Sequence, residues 1–154
     1  MTINTSSGSK IYIGSNNTVV SNPLVDTYIL IGFVANMGEF GRVYSLITFD
    51  SLGDRNTLKF KGQRNDGKMS IDLGRAPDDS GQAACILARD VDQDFNFKVS
   101  LNDASAISGS HPTFFYFLAK VMSYTTNVGG PTQIVHAKMD VEIKSNSITE
   151  IAGT

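Results

Sequence analysis

The residues able to do chemistry in this chain are few, and their spacing argues against most of it. His111 and His136 are the only histidines, and Cys85 is the only cysteine. His136 stands on the polar side of an alternating run, where a solvated side chain is the ordinary outcome. His111 precedes Pro112 in a loop, with no second His or Cys at zinc-ligand spacing. Asp90, Asp92 and Asp94 crowd carboxylates as a calcium loop does. The sixth position of such a loop needs Gly and the twelfth Glu, where this chain has Phe95 and Leu101, so a solvated turn is the better account. Cys85 has no nearby cation in sequence to draw off its proton, and a buried inert thiol is expected. No glycine-rich stretch has the strand, loop and lysine order of a phosphate-binding loop. Asp78 and Asp79 fit a helix start better than a paired acid and base. No catalytic constellation, metal site or cofactor is expected. Charge is gathered instead at Lys59, Lys61, Arg64 and Lys68, with Arg55 just before them. These side chains either solvate a hairpin edge or pair with acids such as Asp54, Asp72 or Asp78 on another copy.

The elements that position these residues are mostly strands. One stretch is helical: Asp79 and Gln82 have capping-box spacing, and Ala83, Ile86, Leu87 and Val91 recur as a stripe expected to dock on a sheet. Arg89 suits the negative pole of the helix, and Asp90 opposes its continuation. Lys10–Gly14 alternates as a short strand after a flexible arm at 1–9. Tyr28–Val34 and Phe114–Val121 are apolar on both faces and predict doubly covered strands. Val43–Phe49 is a strand followed by a polar connection, Asp50–Thr57. Leu58–Lys61 and Met69–Leu73 flank Asn65-Asp66-Gly67, a hairpin signal because Asp-Gly tolerates positive φ. Phe95–Leu101 and Val135–Lys144 alternate strictly. The fold class is therefore α+β, mostly β: an antiparallel sandwich or barrel-like domain of about seven or eight strands with one flanking helix, Asp79–Asp90.

At 154 residues, with 41% hydrophobic and 18% charged, the chain fits a single domain with a real core. A formal charge of −2 gives no reason to expect tight phosphate-backbone binding. No apolar run reaches membrane-spanning length, and the first ten residues lack the pattern of a signal peptide, so neither membrane insertion nor export is expected.

The order of the pieces resembles the major tail tube proteins of long-tailed bacteriophages. The resemblance is carried by Gly8-Ser-Lys-Ile-Tyr-Ile-Gly14, Asp26-Thr-Tyr-Ile-Leu-Ile-Gly32, Lys61-Gly62, Asn65-Asp66-Gly67, Asp79-Ser-Gly-Gln82 and Phe97-Lys-Val99. It implies a virion structural protein, assembled in the host cytoplasm. Its hexameric rings would stack into a tube that passes double-stranded DNA, with tape-measure and terminator proteins as partners. It further implies a ring-stacking loop at Asp50, Asp54, Arg55 and Asn56, with the segment Met1–Lys10 as a second candidate. For contacts between subunits we single out Lys59, Lys61, Asp79, Arg89 and Asp90, and for lumen-facing positions Ser70, Asp72, Asn96 and Ser100. Two other readings stay open. One is the tube of a contractile injection machine. The other is a β-sandwich binding module for carbohydrate or protein, with Tyr12, Tyr44 or Tyr124 as stacking platforms.

Overall fold

The computed structural model describes residues 3–154, so the first two residues of the arm expected at 1–9 lie outside the described residues. Ten strands and one helix follow one another as β1 (Lys10–Asn16), β2 (Ile29–Leu30), β3 (Val34–Asn36), β4 (Val43–Asp50), β5 (Thr57–Asn65), β6 (Lys68–Gly74), α1 (Ser80–Arg89), β7 (Phe95–Ser100), β8 (Phe114–Asn127), β9 (His136–Ile143) and β10 (Thr149–Ile151). Eight strands form one antiparallel sheet in the order β2-β1-β7-β8-β9-β6-β3, with β10 added on β8; β4 and β5 pair only with each other. The large sheet curls into a half-barrel, and the class is α+β, mostly β.

Period-two alternation explains the core. Ile11 and Ile13, Phe97 and Val99, Phe117, Ala119 and Val121, Met139 and Val141, and Met69 and Ile71 all point to the concave side and are at most 4% exposed. Phe97 and Phe117 stack across neighbouring strands with ring centroids 5.6 Å apart. A register shift between Val121 and Ser123 moves the inward set by one residue and brings Tyr124 into the core. Tyr124 is thus unavailable as a stacking platform.

Helix α1 closes the concavity. Asp79 caps it by accepting from Gln82 N–H at 2.9 Å, and Asp90 ends it, as the spacing predicts. Its inward face differs from the expected stripe: Gly81, Gln82, Cys85 and Ala88 are buried, whereas Leu87 is 70% exposed and Val91 is also exposed. The reason is close approach. A Cβ on Gly81 would collide with the Leu30 carbonyl, so the helix presents its smallest residues to β2. Gln82 does not complete the capping box. Its amide donates to Gly32 O at 3.0 Å and Gly74 O at 2.9 Å and accepts from Ala76 N–H and the Tyr124 hydroxyl.

Two further expectations change. Tyr28–Val34 is not one doubly covered strand. Phe33 has φ 59°, which breaks the run between β2 and β3 and leaves Ile29, Leu30 and Phe33 exposed. Asn65-Asp66-Gly67 is a turn with Gly67 at φ 82°, but β5 and β6 do not pair across it. It carries the chain from one sheet to the other. The hairpin is β4–β5, and the Asp50–Thr57 connection is its tip.

A candidate assembly surface

The β4–β5 ribbon leaves the body between Arg42 and Asp66. Asp66 is fully buried, accepts from Asn146 N–H at 2.8 Å, and lies 3.9 Å from the Arg42 guanidinium. Gly67 O accepts from Ile143 N–H at 3.0 Å, so the root is tied to the end of β9. Beyond the root every residue of β4 is exposed. Pairings Ile47↔Phe60 and Phe49↔Leu58 put four large apolar side chains on one face, at 53%, 55%, 59% and 44% exposure. Pairings Tyr44↔Arg64, Leu46↔Lys61 and Thr48↔Lys59 fill the other face, with a bulge in β5 keeping Arg64 and Lys61 on the same side. There Lys61 Nζ sits 5.0 Å from the Tyr44 ring centroid, and the Arg64 guanidinium holds the Tyr44 phenol below its ordinary pKa. The ribbon is amphipathic, with one apolar face and one cationic face.

Charge divides in the same way. Residues 42–65 hold Arg42, Arg55, Lys59, Lys61 and Arg64 against Asp50 and Asp54, a net +3 within a chain of −2. Of these five cations, only Arg42 approaches a carboxylate among the described residues.

The residues expected to matter fall into separate places. Asp50, Asp54, Arg55 and Asn56 share the ribbon tip. Asn56 N–H donates to Asp54 Oδ1 at 3.1 Å, and Asp50 pairs with Thr57. Lys59 and Lys61 belong to the same ribbon. Arg89 and Asp90 pair with each other at 3.1 Å at the far end of α1. Asp79 is engaged within the chain, since its carboxylate also accepts from Gly32 N–H at 3.1 Å and ties the helix to the link between β2 and β3. Ser70 and Asp72 lie on the convex side of β6, where Ser70 donates to Asp140 at 2.7 Å and Asp72 is exposed. Ser100 stands half-buried at the end of β7.

Asn96 does not fit a lumen-facing position. It is fully buried beneath residues 17–28, donating to Val20 O at 3.0 Å and Asp26 Oδ2 at 2.8 Å. The segment it holds also covers Lys98. The Lys98 ammonium lies 4.4 Å from the Tyr12 ring centroid and 5.0 Å from that of Tyr28, and burial lowers its pKa. Alternation alone could not reveal this cover, because it comes from a loop. The part of the expected arm that is described forms a turn, closed by Ser9 N–H to Ser6 O at 3.0 Å and held by Asn102.

Sequence alone does not single out the apolar side chains of the ribbon, Ile47, Phe49, Leu58 and Phe60. Their alternation was visible, but it reads as a strand facing a core within the chain. Among the described residues, no three His, Cys, Asp or Glu side chains converge to hold a metal ion, and no helix is long and apolar enough to cross a membrane. Burial pushes the Cys85 thiol up to about 12.

No protein-family model and no curated protein matches the sequence. Solved structures do match the backbone. The chain is similar to a subunit of the PVC sheath/tube terminator of an extracellular contractile injection system in the extended state, at 13% identity over 99% of both chains and TM-score 0.69. A chain of the 6-fold symmetrised anti-feeding prophage baseplate aligns at 15% identity, 99% and 98% coverage and TM-score 0.67. The SPP1 tail tube protein aligns at 13% identity, covering 94% of this chain and 77% of that one, at TM-score 0.66. The fold is the tail-tube fold. In this chain α1 packs on the half-barrel, and among the described residues β4 and β5 pair only with each other.

Proposed function

We propose that the chain is a structural subunit that self-assembles into the tube of a phage tail. The observation that carries this reading is the amphipathic ribbon on a tail-tube fold. A two-stranded ribbon alone is marginal in water, and an apolar face of four large side chains calls for cover. A second copy supplies that cover, and ring closure pairs the free strand edges. The 6-fold symmetry of a similar assembly supports a hexameric ring. Stacked rings then form the conduit for double-stranded DNA in the virion tail, assembled in the host cytoplasm with tape-measure and terminator proteins. Ser70 and Asp72, both polar and on the convex side of β6, are the lumen-facing candidates that remain in keeping with their surroundings; Ser100, at the end of β7 and three strands away in the sheet, is a separate candidate. On the ribbon, Lys59 and Lys61 make contacts between subunits; Arg89 and Asp90 do so on the helix.

Negative-stain electron microscopy of the purified protein across a range of salt concentrations tests the reading. Rings or tubes are expected, and a protein that stays monomeric throughout would overturn it. A second reading, the tube of a contractile injection machine, draws on the PVC and anti-feeding prophage neighbours. It also draws on the exposed apolar side chains Leu87, Val91 and Met122, which a surrounding sheath would cover. A sheath gene beside this one would favour it.

A further inference from the structure

Residues 17–28 cross the outward faces of β1 and β7 as a strap that buries little apolar surface of its own. Val19, Leu24 and Val25 are 77%, 49% and 73% exposed. Beyond the turn on Asn16, no backbone hydrogen bond joins residues 18–28 to a strand among the described residues. Polar side chains hold the strap instead. One oxygen of the Asp26 carboxylate accepts from Ser15 N–H at 2.6 Å and from Asn96 Nδ2 at 2.8 Å; the other accepts from Thr27 N–H at 2.7 Å. Asn17 Nδ2 adds a bond to Asn96 Oδ1 at 3.2 Å. Gly14 permits this closeness, since a Cβ there would collide with the Asp26 carboxylate and the Tyr28 ring. With Ile13 paired to Ile29 in the β1–β2 ladder, Ser15 carries the next outward amide, and Asp26 takes it.

Beneath the strap lies a cation with nothing of opposite sign beside it. The Lys98 ammonium has the rings of Tyr12, Tyr28 and Phe114 around it, the last at 5.3 Å, and belongs to no ion pair among the described residues. The rings attract it, but closure of the strap strips water from it, and burial lowers its pKa. Asp26 and Lys98 therefore act oppositely on one segment. A carboxyl with a lowered pKa favours the closed strap, and this support is lost as pH falls through its folded value. An ammonium with a lowered pKa favours the open strap, and it stays protonated throughout that fall. Lys10 and Tyr12 on β1, Tyr116 on β8 and Tyr28 share this face, with His111 stacked behind Phe114 at 6.3 Å. Burial raises the Tyr28 and Tyr116 phenols, away from the acid range. Asp94, at the root of the strap, turns its carboxylate to Lys144 at 3.8 Å.

We infer that residues 17–28 form an acid-opened strap, latched by the Asp26 carboxylate and pressed open by Lys98 beneath it. Opening frees Ser15 N–H at the sheet edge and uncovers Asn96, Tyr12 and Tyr116, while Phe97 and Val99 stay in the core on the other side of β7. The strap lies within one chain, so its opening does not depend on the tube reading. Low apolar burial is what lets it open locally while the body holds.

Amide hydrogen exchange of the full chain, corrected for the intrinsic rate, tests this between about pH 6 and about pH 2. Protection of the Ser15 and Asn17 amides is expected to fall by about tenfold or more in acid, ahead of Phe97 and Met139 in the core. Equal protection at both ends, or a loss no earlier than that of the core, overturns the strap. Asp26→Asn cannot take up the proton and is expected to show no acid fall; a fall that persists would remove Asp26 as the latch. Lys98→Met is expected to raise protection of the strap in acid by about threefold or more, and Lys98→Arg to leave it near wild type. Lower protection in Lys98→Met would make the ammonium a holder of the strap and overturn its assigned part.

Discussion

The body and the ribbon are built from the same kind of strand, yet they reach opposite outcomes. In β6, β7 and β9 each apolar residue of the alternating set has a partner across the concavity, and Met69, Ile71, Phe97, Met139 and Val141 are fully buried. In β4 and β5 the same alternation gives Ile47, Phe49, Leu58 and Phe60, none less than 44% exposed. Buried polar atoms follow the same division. Gln82 makes four hydrogen bonds to three separate segments of the body, whereas Lys59 and Lys61 find no carboxylate among the described residues. Pattern makes a strand, but closure depends on what the rest of the chain brings to it. The body closes on itself; on the tube reading proposed above, the ribbon closes on another copy. Changes in the body should therefore act on stability, and changes in the ribbon on assembly.

Gln82→Ala should have the largest effect on stability. It leaves the carbonyls of Gly32 and Gly74 and the N–H of Ala76 without their partner in a dry site, and opens a cavity beneath Tyr124. A loss of about 3–5 kcal/mol is expected in urea unfolding, with assembly lost only as a consequence. A cost below ~1 kcal/mol would show that the network does not hold the body together.

The next effect is smaller and depends on pH. Burial works to raise the Asp26 carboxyl, but hydrogen bonds from Asn96, Ser15 and Thr27 outweigh it and leave the pKa lowered. A lowered folded-state pKa contributes stability above the unfolded value, ~4, and that contribution is lost as pH falls through the folded value. Asp26→Asn should therefore cost about 1 kcal/mol at pH 7 and less at an acid pH below ~4. Equal cost at both pH values would mean that the change acts through packing rather than charge.

Replacing Ile47 and Phe60 together with Ser reverses the pattern. Both side chains touch mainly solvent in the single chain, so urea unfolding of the body should shift by no more than about 0.5 kcal/mol. Assembly, read by sedimentation, should be abolished. A large loss of body stability with assembly retained would put the ribbon's apolar face inside the fold and end the contrast.

Much of the body could be read from sequence because its signals are local. The alternation in β6, β7 and β9 and the Asp79 and Asp90 caps depend on neighbours a few residues away. What stayed hidden depends on distant chain. Asp66-Gly67 announces a positive φ, not which strands pair on either side of it. The stripe chosen by hydrophobicity on α1 favoured Leu87, but the body takes the face whose Gly81 permits contact with the Leu30 backbone. Asn96 sits on the polar side of a clean alternation and is buried all the same, because residues 17–28 fold over it. Of the assembly surface, the tip charges were legible as exposed polar residues in a turn. The apolar face was legible only as a strand, since exposure is a property of the whole chain.

The smallest effect on stability belongs to the ribbon tip. Asp54→Ala with Arg55→Ala removes two exposed charges and one hydrogen bond, Asn56 N–H to Asp54 Oδ1. Nothing buried rests on them, so the unfolding midpoint should stay within about 0.5 kcal/mol of wild type. Stacking should nevertheless weaken. Charge pairs between exposed side chains act through a screened field, so the wild-type stack should shorten as salt rises and the variant should respond less. Sedimentation at low and high salt separates these outcomes. Equal stack lengths and equal salt response in the two proteins would place the coupling between rings elsewhere, leaving the ribbon's apolar face to act within a ring alone.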